Sequence, residues 1–205
     1  MTLFYLIRHG KKEAISGDAP LSPSGLKQAR ATAQFLQERT IQHVYTSPLR
    51  RAKETTACIA SVQSLPVVED GRLRERANWG DLPGQSFTEF LAMWERSTHD
   101  PDYLPPVGDS ARQAGARMEQ FLREVAKTAP AEEIVVVTHG GLITDFLVAT
   151  LPLEQLEQWH PTFLAVKSSL IPECSITVIR REAEQYVLQC LAEVKHLPER
   201  TPRQE

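Results

Sequence analysis

Cysteine is scarce: Cys58, Cys174 and Cys190 are the only three in 205 residues. An odd number without CxxC spacing excludes a disulfide framework and a zinc knuckle, and fits a reducing, cytoplasmic compartment. Long hydrophobic runs are missing too. A helical membrane span needs roughly 20 apolar residues, and the best stretch, residues 142–151, is interrupted by Asp145. The opening MTLFYLIRHGKK carries its charges after its apolar residues, the reverse of a secretory signal. Nor is there an excess of one charge: 23 Lys and Arg against 26 Asp and Glu give a net of −3. That balance argues against nucleic acid or a membrane surface as partner, while leaving room for a local cationic pocket. Repeats and low-complexity tracts are absent. What remains, 41% hydrophobic and 24% charged residues, is the usage of an ordinary globular domain with one core.

The pattern along the chain is strand alternating with helix. Residues 2–7 form a short, continuous apolar run, as expected of a strand buried on both faces. Ser22-Pro23 is an N-cap and first-turn proline ahead of Leu26, Ala29, Ala33 and Leu36 at helical spacing. Residues 43–46 and 65–68 read as further strands, with a helix from Pro48 to about Ala60 between them. From 71 to 108 the pattern breaks at Trp79, Gly80, Pro83, Gly84, Pro101, Pro105 and Pro106. This stretch reads as an insertion that holds one helix, opened by a Ser86/Glu89 capping box ahead of Phe87, Phe90, Leu91 and Trp94. A second capping box, Ser110/Gln113, opens a long helix. Residues 134–137 are four consecutive β-branched residues, the strongest strand in the chain. Residues 153–158 read as one more helix. The alternating runs 175–179 and 186–191 suggest a hairpin at a sheet edge, and the polar tail from Lys195 is expected to be mobile. Together these predict a single α/β domain over residues 1–205: a three-layer sandwich whose mostly parallel central sheet is flanked by helices.

Ligands of such sheets collect beyond the carboxyl ends of the strands. Two strand ends here carry histidine followed by glycine, Arg8-His9-Gly10 and Thr138-His139-Gly140. An imidazole so placed can attack phosphorus while Arg8 holds the phosphate oxygens, provided neighbouring cations keep it neutral. Arg50 and Arg51 open a helix directly after a strand, where a helix N-terminus and a guanidinium form a natural phosphate receptor.

These segments, Arg8-His9-Gly10, Ser47-Pro48-Leu49-Arg50-Arg51-Ala52 and His139-Gly140, resemble the histidine phosphatase superfamily, which includes the cofactor-dependent phosphoglycerate mutases. Leu73-Arg74-Glu75-Arg76 with Trp79, Gly80 and Gly84 is similar to the family's segment bearing its acidic residue. Gly108-Asp109-Ser110 and Cys174-Ser175-Ile176-Thr177 extend the likeness over most of the chain. The resemblance implies a phosphatase in which His9 accepts the phosphoryl group as phosphohistidine. It makes Arg8, Arg51 and a protonated His139, with Gly140 beside it, the clamp on the phosphate oxygens, and Glu75 the general acid and base. Two guanidiniums and an imidazolium supply the charge such a transfer needs, so no metal or cofactor is expected. Where many members carry an asparagine after the first histidine, this chain reads Lys11, Lys12, Glu13, Ala14, Ile15. Lys12 or a backbone amide is then the candidate for that contact. Lys11, Lys12, Arg50, Arg74 and Arg76 are candidates for a cationic rim that selects a second negative group on the substrate. The expected partner is a small phosphorylated metabolite, with a phosphoprotein as an alternative. Mutase activity and a catalytically silent phosphate-binding module are the competing functional readings. The modest 71–108 insertion, which suggests an open pocket, favours hydrolysis over mutase chemistry.

Overall fold

The computed structural model describes residues 1–198. Six strands, β1 (Thr2–Arg8), β2 (Ile41–Thr46), β3 (Val67–Glu69), β4 (Glu133–Thr138), β5 (Ile176–Glu182) and β6 (Gln185–Glu193), form one sheet. Their order is β3-β2-β4-β1-β5-β6. The first four run parallel, and β5 and β6 join as an antiparallel hairpin on the β1 side. Parallel strands buried on both faces need apolar residues at every position, which is why the continuous runs in β1 and β4 occupy the centre.

The side chains of those central strands alternate between two cores. Phe4, Leu6, Ile134 and Val136 pack with α4 (Ala111–Thr128) and α5 (Gly140–Thr150) on one face. Tyr5, Ile7, Val135 and Val137 pack with α1 (Pro23–Leu36) and α2 (Arg50–Gln63) on the other. This is the expected three-layer sandwich. The sequence caps act as their chemistry predicts. Ser22 accepts from the Gly25 amide at the start of α1, and complete capping boxes open α3 (Phe87–His99) and α4. Two short helices, α6 (Leu153–Trp159) and α7 (Phe163–Val166), follow α5; α7 is too short to carry a readable period.

The expected mobile tail is anchored where the structure describes it. His196 Nε2 lies 3.1 Å from the Cys174 carbonyl oxygen and 3.0 Å from Thr32 Oγ1, against the Phe35 ring. The remainder of that tail, 199–205, lies outside the described residues. Among the described residues no helix is long and apolar enough to cross a membrane.

Register positions the site. Leu3 pairs with Glu133 and the ladder runs to Arg8 with Thr138, so the two strands end level with each other. The next residues, His9 and His139, therefore emerge side by side, and the His9 amide donates to the Thr138 carbonyl at 2.9 Å. Gly10 and Gly25 let the chain after His9 fold tightly against the start of α1. A Cβ on Gly25 would lie 2.0 Å from the Lys11 carbonyl oxygen and one on Gly10 2.6 Å from that of Gly25.

Candidate active site

His9 is buried and held by two bonds that fix its tautomer. Its Nδ1–H donates to its neighbour Gly10's carbonyl at 2.7 Å, and Arg51 Nε donates to its Nε2 at 3.1 Å. Nε2 therefore carries the lone pair. Burial, then the Arg51 and Arg8 charges, push its pKa well below 6.5, so the imidazole is neutral as a nucleophile requires.

The His139 ring lies edge-on to His9, centroids 5.0 Å apart. Its Nε2 meets Ser47 Oγ at 2.7 Å, and its Nδ1 is buried with no partner among the described residues. Burial and the neighbouring Arg51 and His9 also hold His139 neutral. In the unliganded site burial, ahead of the surrounding charges, disfavours the protonated imidazole expected of the clamp. In the tautomer where the Ser47 hydroxyl donates to Nε2, the neutral ring still offers a donor, its hydrogen standing on Nδ1. Arg51 Nη1 is likewise buried and unpaired. Unmet buried donors beside a histidine lone pair are what an oxyanion would satisfy. Arg8 completes the group, its guanidinium oriented by the Ile171 carbonyl at 2.6 Å and Glu173 at 3.2 Å. Gly140 fits beneath Arg8, since a Cβ there would sit 3.1 Å from Arg8 Cδ.

Glu75 reaches the same cleft from the 71–108 segment. Backbone amides hold both carboxyl oxygens: Gly141 N–H donates to Oε2 at 3.0 Å and Arg76 N–H to Oε1 at 3.1 Å. Arg117 bonds the carbonyls of Arg72 and Arg74, stiffening the chain on the approach to Glu75. The surrounding cleft has a volume of about 530 Å³. Among the described residues no cluster of His, Cys, Asp and Glu could hold a metal ion.

The cationic rim does not assemble as expected. Arg76, expected among the phosphate-binding residues, turns away into the core. Its guanidinium lies 2.8 and 2.9 Å from the two Asp145 oxygens and 2.7 Å from Thr98, stacked on Trp94. Arg50 pairs with Glu54 at 2.7 Å and Arg74 with Asp81 at 2.9 Å. Lys11 and Lys12 do line the cleft. Lys12 Nζ donates to the Glu13 carbonyl at 3.3 Å and approaches that of Ile15 at 3.5 Å.

Several residues at the site escaped the sequence reading. Ser47 directly follows β2 at the level of His9 and His139, so a polar residue closing a third strand was the available signal. Gly141 has two tasks: its amide holds Glu75, and a Cβ there would strike Glu75 Oε1 and Trp94 Cη2, both at 2.7 Å. Asp145 announced itself only as a charge inside an apolar helix.

Two neutral buried histidines make stability pH-dependent. An unfolded histidine protonates near 6.5 while the folded one does not, so the unfolded state binds more protons and stability falls as pH drops below 6.5. The two together cost roughly 2 kcal/mol between pH 6.5 and 5.5. Asp145, raised to about 6 by burial, takes up a proton in the folded state over the same interval and offsets roughly a third of that loss. Urea unfolding at these two pH values measures the net fall, and a gain in stability would mean that the imidazoles protonate in the folded state.

Comparison with known proteins places this geometry. The family model of the histidine phosphatase superfamily (branch 1) matches residues 4–194. The chain is 31% identical over 150 residues to the uncharacterized phosphatase PhoE of Bacillus subtilis, covering 70% of this chain and 74% of that one. It is 29% identical over 214 residues to a metal-independent phosphoserine phosphatase of Arabidopsis thaliana, covering 96% and 84%. Among solved structures, a phosphoserine phosphatase mutant from Entamoeba histolytica in complex with phosphoserine superposes with a TM-score of 0.76 at 25% identity, over 97% of this chain and 100% of that one. The chain belongs to the histidine phosphatase superfamily and is a phosphatase of that type.

Proposed function

We propose that the protein hydrolyses small phosphomonoesters, with His9 Nε2 as the phosphoryl acceptor and Arg8, Arg51 and His139 Nδ1 as donors to the phosphoryl oxygens. The observation that carries this assignment is the fixed tautomer of His9, a neutral imidazole whose lone pair faces an arginine donor. In the first step Nε2 forms a bond to phosphorus as the bond to the ester oxygen breaks, and Glu75 delivers its proton to the departing alkoxide. Arg51 must exchange its bond to Nε2 for one to a phosphoryl oxygen before attack. In the second step the Glu75 carboxylate takes a proton from water, whose oxygen displaces Nε2 from phosphorus and releases inorganic phosphate. The clamp carries the negative charge on the equatorial oxygens through both transfers. A cleft of about 530 Å³ suits a small molecule, and the phosphoserine bound by the Entamoeba relative supports a phosphorylated metabolite as substrate.

The role of Glu75 is tested by leaving-group dependence. Glu75→Gln should lower the release of phosphate from an alkyl ester by about 10²–10⁴-fold, but from p-nitrophenyl phosphate by less than tenfold, because only a basic leaving oxygen needs its proton. Equal losses on both esters would show that Glu75 is not the acid.

A further inference from the structure

Helix α3 turns its apolar stripe to the cleft, with only the Arg76 guanidinium set against it, on the Trp94 ring. Phe87, Phe90, Leu91 and Trp94 follow the i, i+3, i+4, i+7 spacing that ordinarily seats a helix on a core, yet all four line the cleft. The buried residues of α3 are instead Ser97 and Thr98, and Phe87 and Leu91 are 50% and 48% exposed. Trp79 extends the wall, its ring 4.8 Å from that of Phe87. The stripe reaches the reacting end of the cleft, since the same point above Gly141 lies 2.7 Å from Trp94 Cη2 and from Glu75 Oε1. An alcohol whose oxygen is protonated by Glu75 therefore meets an indole edge at its first carbons.

The charges around the cleft point the same way. Arg50, Arg74 and Arg76 are each engaged by an acid. Glu173 is already paired with Arg8, so beyond the phosphate clamp the lining holds no unpaired guanidinium and only Lys11 and Lys12 set against Glu13.

From this juxtaposition we infer that the enzyme's substrate class is phosphomonoesters of alcohols bearing a flat or bulky apolar group, in preference to short alcohols bearing a second anionic group. The inference rests on the phosphatase reading above and specifies what its site selects. The α3 wall removes apolar surface from water on both partners, whereas a second carboxylate laid against the same wall would lose hydration with no unpaired guanidinium there to meet it.

The test compares primary-alcohol esters, so that leaving-group reactivity stays similar: 2-phenylethyl phosphate, ethyl phosphate, O-phosphoserine and 3-phosphoglycerate, with p-nitrophenyl phosphate as a general control. 2-Phenylethyl phosphate should show a kcat/KM at least about tenfold above each of the other alkyl esters. Phe87→Ser and Leu91→Ser, both at exposed positions, should shrink the ratio of 2-phenylethyl to ethyl phosphate severalfold. Equal or faster turnover of O-phosphoserine or 3-phosphoglycerate would overturn the inference and leave the phosphatase reading standing. So would a ratio unmoved in both variants. Release of phosphate from none of the esters, the control included, would sink both.

Discussion

His9→Ala lowers phosphate release by at least about 1,000-fold on every ester the wild type accepts, because the acceptor of the phosphoryl group is gone. No neighbour is built to replace it. His139 has its Nε2 committed to Ser47, and Lys12 is turned towards main-chain carbonyls. The loss must be separated from misfolding, since His9 is buried and bonded to Arg51 and Gly10. A circular dichroism spectrum and melting curve close to wild type make that separation. A direct readout accompanies it: brief exposure of wild type to a ³²P-labelled ester, quenched in alkali, should leave up to one acid-labile phosphate per chain on the peptide containing His9. A label on another peptide, or a variant that keeps a tenth of the activity, would show that a different group accepts the phosphate.

What was legible in the sequence and what was not divides along the range of the interactions. The four β-branched residues at 134–137 and the apolar run at 2–7 identified the two central strands, since strands buried on both faces leave few other choices of residue. The Ser22, Ser86 and Ser110 caps were readable because a cap and the backbone N–H that donates to it sit within three residues. His9 and His139 were legible because each ends such a strand, and parallel strands of one sheet deliver their carboxyl ends to one edge. Arg76 was not legible for the opposite reason. A guanidinium is a phosphate ligand only if no acid claims it first, and the acid that claims Arg76 is 69 residues away on α5. Ser47 and its partner His139 are 92 residues apart. Local pattern shows where a residue stands; its partner depends on packing that pattern does not encode.

The Arg76–Asp145 pair carries a large stability effect. Both side chains are at most 2% exposed, and Arg76 bridges three elements: the Glu75 segment, α5 through Asp145, and α3 through Thr98 and the Trp94 ring 3.9 Å from its guanidinium. Burial pushes the Asp145 carboxyl up to about 6 even against the pull of Arg76, so desolvation of the pair is substantial. Asp145→Ala leaves a guanidinium buried without its counter-charge, which costs about 3–5 kcal/mol. In a domain of this size that lowers Tm by roughly 10 °C. A double variant, Arg76→Met with Asp145→Leu, removes both charges and should recover most of the loss, since well-packed apolar residues can replace a buried pair at little cost. Activity should not recover with it: the Arg76 side chain holds the turn that aims Glu75 and supports the face of Trp94, and methionine has neither the fork nor the charge to do so. Thermal melts and kcat on an alkyl ester, measured together on the single and double variants, separate the two contributions. A single variant that melts within about 2 °C of wild type would show that water reaches Arg76 and that the pair is not a closed unit.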